Sequence, residues 1–94
     1  MEERAVIAMF VRHAVKDFSK WKAVYDADHD ARQAAGLREV NVWRNADEPH
    51  EVVLLFEASD LGQAKAFATS LALREKMAAA GVTGRPEIIF LTDR

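Results

Sequence analysis

The run "AVIAMFV" at residues 5–11 has the length and residue types of a β-strand, but it has no polar side. Neighbouring side chains in a strand point to opposite faces, so a half-wet strand alternates apolar and polar residues. The same two-sided apolar character returns in "VVLLF" (52–56) and "IIFL" (88–91). Three such segments call for a sheet covered on both faces. In a chain of 94 residues one layer of helices can cover one face, and something else must cover the other.

The segments between these strands supply the helices. In "VKDFSKWKAVYDADHDARQAAG", Asp17 is placed to accept backbone N–H bonds as an N-cap. Phe18, Trp21, Val24, Tyr25 and Ala31 then form one apolar stripe, and Gly36 closes the helix. "LREVNVWR" follows with clean alternation: Val40 and Val42 on the helix side, Glu39, Asn41 and Trp43 on the other. The polar turn "NADEPH" leads into "EVVLLFEA". Asp60, with Gln63 three residues later, resembles a capping box for a second helix. Its stripe Leu61, Ala64, Phe67, Ala68, Leu71 changes phase at Leu73 and Met77, which predicts a bend or restart near Ser70. Gly81 ends that helix, and "RPEIIFLT" is the last strand, with Pro86 at its start. The order is βαββαβ, an α+β arrangement with a weak internal echo of strand, Asp-capped helix, strand.

Charge and composition remove several function classes. Thirteen Lys and Arg stand against 15 Asp and Glu, interleaved along the chain, for a net charge of −2. Nucleic-acid binding needs a basic footprint, and none is present. There is no cysteine, so disulfide and thiolate chemistry are excluded. The first apolar run is seven residues long and follows the acidic-first "MEER", too short for a membrane span and wrongly flanked for a signal peptide. A single domain over residues 1–94, cytoplasmic, without membrane or nucleic-acid partners, is the expectation.

The stretches "VKDFSKWKAVYD" (15–26) and "EASDLGQAKAFATSLALREKMAAAGVTGRP" (57–86) resemble small proteins of the dimeric α/β-barrel superfamily, nearest its antibiotic-biosynthesis-monooxygenase-like branch. The resemblance implies a ferredoxin-like fold: a four-stranded antiparallel sheet with two helices on one face, pairing sheet to sheet with a second copy into a dimeric α/β barrel. That homodimer would cover the second apolar face. The superfamily keeps a ligand cavity between sheet and helices or inside the barrel. Its members include cofactor-free monooxygenases, haem-degrading enzymes, cyclases and proteins without known activity, so fold alone does not choose among them. Haem-degrading relatives are expected to use a His on the second helix, and residues 60–80 contain none. No cofactor is expected.

Five residues are candidates for a site. Asn41 and Trp43, two apart on one strand, can hold a planar ligand by one hydrogen bond and one stack; the alternative is packing at the dimer interface. In related monooxygenases Asn and Trp are among the residues held to position substrate. Arg12 and His13 end the first strand on opposite faces. The internal echo aligns His13 with Phe56, which turns His13 toward the helices and Arg12 inward, and a slip of one residue reverses this. Glu57 would then face Arg12 or a ligand. His13 suits proton transfer, and its alternative is a hydrogen-bonded structural residue. Asp26, His29 and Asp30 share a helix face with metal-ligand chemistry, but they read as a solvated face on which Asp28 and Arg32 make an i, i+4 pair. No metal is expected. Two function classes stay open: a cofactor-independent enzyme on a small aromatic or polyketide-like molecule, and a non-catalytic homodimer that binds a small hydrophobic ligand or serves a structural role.

Overall fold

Three side chains start the helical segments in the computed structural model, which describes residues 6–93. Asp17 lies in extended backbone and accepts from Lys20 N–H at 3.1 Å, and Asp60 accepts from Gln63 N–H at 2.7 Å. Ser70 Oγ accepts from Leu73 N–H at 3.1 Å, the restart expected from the phase change. Each satisfies a backbone donor that has no partner within the helix. Ala5 and the acidic start before it lie outside the described residues.

The elements are β1 (Ile7–Val15), α1 (Phe18–Ala27), α2 (His29–Ala34), β2 (Leu37–Arg44), β3 (Glu51–Ala58), α3 (Leu61–Ala68), α4 (Leu71–Ala79) and β4 (Val82–Thr92). Both helical layers are therefore broken in two. The first break is at Asp28, whose N–H donates to Tyr25 O at 3.1 Å and tightens the last turn of α1. Gly36 and Gly81 follow the second member of each helix pair with φ of +77° and +85°. A side chain at Gly36 would also collide with Ser59 Oγ.

The four strands form one antiparallel sheet in the order β2-β3-β1-β4. Central β1 and β3 send Met9, Val11, Val15, Val52, Leu54 and Phe56 toward the helices, where they meet buried Trp21, Ala64 and Ala80. Pro86 falls in β4, an edge strand, where the pairing with β1 skips between Glu87↔Arg12 and Thr83↔Ala14. A residue without an N–H costs little at such a break.

The other face carries Phe10, Val53, Leu55, Trp43, Ile89 and Leu91, with no layer among the described residues over it. Trp43, Ile89 and Leu91 remain 42–45% exposed. This is the uncovered second face that the two-sided strands demand.

β2 departs from the expected alternation. Glu39 is opposite Phe56 and Asn41 is opposite Leu55, so Val40 has no cross-strand partner and forms a β-bulge, 48% exposed. The extra residue reverses the phase for everything before it. Glu39 therefore lies on the helix side rather than with Asn41 and Trp43, and Val40 is not a helix-facing core residue.

Candidate functional site

A cavity of about 80 Å³ lies between the sheet and the helices and opens toward solvent beside α2 and α4. Its floor is the helix-facing row of β1 and β3, including Met9, Val11, Leu54 and Phe56. Phe67, Leu73 and Met77 contribute from α3 and α4. Trp21 and Tyr25 form its wall on α1, one turn apart, stacked with ring centroids 4.9 Å apart and 21° between planes.

His13 is the polar group in this apolar surround. It is 7% exposed and meets the Trp21 ring edge-on, with centroids 5.5 Å apart and 66° between planes. Its Nδ1 is buried and has no hydrogen-bond partner among the described residues. Burial disfavours the imidazolium and lowers the pKa of His13 below the ordinary histidine value, so the ring is neutral at pH 7. A buried polar nitrogen without a partner is uncommon in a folded protein. His13 is also one of the residues that line the cavity.

The mouth is charged. Lys76 on α4 reaches the carboxylate of Asp28 at the α1–α2 break, closing an ion pair across the opening. Arg32 on α2 lies beside it, 8% exposed, its guanidinium carbon 3.7 Å from the Tyr25 ring centroid and Nη1 donating to Tyr25 O at 2.7 Å. Tyr25 in turn donates its hydroxyl to Glu39 Oε1 at 2.6 Å. Burial first, and then this bond to a carboxylate, push the Tyr25 pKa well above the ordinary tyrosine value. The phenol therefore stays protonated and acts as a fixed strut between α1 and β2.

This arrangement corrects the sequence reading at the helix break. Arg32 is not on a solvated face, and Asp28 pairs with Lys76 instead of Arg32. The relevant signal was the i, i+7 spacing of Tyr25 and Arg32, two turns apart on one helical face. Asp28 and Lys76 are 48 residues apart, and nothing in local spacing brings them together. His29 lies 3.6 Å from Asp30 at the exposed surface. No group of three or more His, Asp or Glu side chains among the described residues could hold a metal ion.

The remaining candidates lie across the sheet from His13. Arg12 points to the open face, 3.4 Å from Glu51 and 3.9 Å from Glu87. Glu57 does not face it; Glu57 is opposite Ala8 and takes a 3.1 Å ion pair from Arg38. Asn41 and Trp43 share that face opposite Leu55 and Val53. Asn41 Oδ1 already accepts from Val42 N–H at 2.8 Å. The structure thus separates the candidates: His13 in the sheet–helix cavity, and Arg12, Asn41, Trp43 and Glu57 on the open face.

The fold has counterparts among solved structures. A cofactor-independent oxygenase from Streptomyces nogalater, SnoaB, superposes with a TM-score of 0.74 at 16% identity, covering 97% of this chain and 95% of that one. A conserved protein from Methanosarcina mazei Go1 gives 0.70 at 15% identity over 92% and 90%. The chain has the fold of the antibiotic biosynthesis monooxygenases. A protein from Mycobacterium tuberculosis, Rv0793, matches at 0.64 with 20% identity over 92% of each chain. These likenesses bear out the ferredoxin-like expectation for fold. No protein-family model and no curated protein matches the chain by sequence. No helix among the described residues is long and apolar enough to cross a membrane.

Proposed function

We propose that the protein is a cytoplasmic homodimer that binds a small, largely apolar molecule between its sheet and helices and transfers a proton on it through His13, as a cofactor-independent monooxygenase-like or cyclase-like enzyme. The observation that carries this reading is the neutral, buried imidazole of His13, its Nδ1 without a hydrogen-bond partner among the described residues, on the lining of a largely apolar cavity. A neutral imidazole in low dielectric can take a proton from an acidic O–H or C–H of a bound aromatic or polyketide-type molecule. The electron-rich anion left behind can reduce dioxygen, or its carbon can attack a carbonyl of the same molecule. The fold shared with SnoaB supports this class of chemistry by analogy.

In this reading a second copy lays its own sheet on the open face, and Arg12, Asn41, Trp43 and Glu57 line the interior between the two sheets. Asn41 accepts from Val42 N–H, and Trp43 is 45% exposed on the face that the second copy would cover. The test is oxygen uptake and product formation with a panel of anthrones, dihydroxynaphthalenes and phenols, comparing the protein with His13→Gln. Turnover lower by about 10²-fold or more in the variant, with its circular dichroism unchanged, is expected for loss of a general base. Equal turnover by the two proteins would overturn the role of His13.

A further inference from the structure

Arg32 is a buried cation, only 8% exposed, with no ion pair among the described residues. Among the described residues its side chain donates to a neutral carbonyl, Tyr25 O, and its face rests on the Tyr25 ring. A buried charge normally keeps a counter-ion, because losing water without one is costly. The charged side chains lining the cavity are Arg32, Lys76 and Asp28, two cations to one carboxylate. Asp28 is engaged by Lys76, and Glu39, at the far end of the Tyr25 ring, is engaged by the Tyr25 hydroxyl, so neither carboxylate forms an ion pair with Arg32. Below this charged rim the lining is apolar down to His13.

From this imbalance we infer that Arg32 and Lys76 form an anion subsite at the mouth, and that the ligand is a small amphipathic monocarboxylate whose apolar body fills the cavity. The inference rests on the sheet–helix cavity being the binding site. The carboxylate supplies the missing counter-ion to Arg32 and competes with Asp28 for Lys76. Arg32 is suited to this task because the stack on Tyr25 fixes its planar fork before the ligand arrives. Asp28 keeps the entrance closed when no anion is present and sets a threshold against weakly charged competitors. The apolar end of the ligand points at Trp21 and His13, so its reactive group is the one farthest from the carboxylate.

The test is a chemical-shift titration of isotopically labelled protein with benzoate and with benzamide, its neutral isostere. Benzoate is expected to bind about tenfold tighter or more, the ratio given by charge-assisted hydrogen bonds that only one ligand can accept. Its shifts should centre on Arg32 Nε–H, the Lys76 backbone and Trp21 Nε1–H. Lys76→Met and Arg32→Gln should each shrink the preference, and Asp28→Asn should raise benzoate affinity by freeing Lys76. Lys76 is half exposed, so its variant keeps the test valid even if Arg32→Gln does not fold. Equal affinity for the two compounds, or a preference that survives both cation variants, would overturn the anion subsite and leave the cavity reading standing. Binding of neither compound in the cavity would overturn both.

Discussion

The Tyr25 hydroxyl donates to Glu39 Oε1 at 2.6 Å, joining α1 to β2 through a residue that simple alternation would place on the opposite face of the sheet. The β-bulge at Val40 makes this contact available. Tyr25→Phe should destabilise the fold by about 1 kcal/mol, the net worth of one such hydrogen bond. Deleting Val40 should cost less, because it removes the unpaired residue and leaves Glu39 opposite Phe56, on the helix side, with the bond in place. Chemical denaturation of both variants checks the order.

Leu54 lies on central β3, 2% exposed, facing the cavity with Trp21 and Phe67. Leu54→Ala should cost roughly 2–5 kcal/mol, from lost transfer energy and the enlarged void. In a domain this small that is a large share of the total stability. A denaturation midpoint that hardly moves would contradict the assigned strand face.

His13 gives stability a pH dependence of definite sign. Its folded pKa is lowered by burial, so between that value and the unfolded value near 6.5 the unfolded chain binds more protons. Stability should therefore fall as pH drops below about 6.5, and level off once the folded pKa is passed. His13→Gln should flatten this part of the curve. Urea midpoints from pH 7.5 to 4.5 measure it.

The open face should be an interface between copies. Trp43, Ile89 and Leu91 are exposed there beside Phe10, Val53 and Leu55, a grouping of apolar side chains of the kind that marks an interaction surface. Sedimentation should show a dimer, and Ile89→Arg should dissociate it without loss of secondary structure. A monomeric wild-type protein at micromolar concentration would contradict this.

Much of this architecture is legible in the sequence for local reasons. Asp17, Asp60 and Ser70 cap helices through bonds to residues three ahead, so spacing alone reveals them. The echo of His13 with Phe56 indicates the correct side, because both stand on the helix-facing rows of paired strands. The failures are non-local or come from single-residue insertions. One unpaired residue at Val40 inverts Glu39, and Arg32, read from its polar neighbours as solvated, rests on Tyr25 two turns earlier. The Asp28–Lys76 pair depends on how α4 lies against the first helical layer, a tertiary fact without a sequence period. For the same reason a cavity with a charged rim is invisible to pattern reading, although all its residues are in view.

Ligand chemistry should take place between sheet and helices rather than on the face that carries Trp43, and a crystal of the protein soaked in phenol distinguishes the two. Phenol should lie in the cavity bounded by Met9, Phe56 and Phe67, its hydroxyl about 2.6–3.2 Å from His13 Nδ1. Phenol stacked on Trp43 and bonded to Asn41, with the cavity empty, would contradict it.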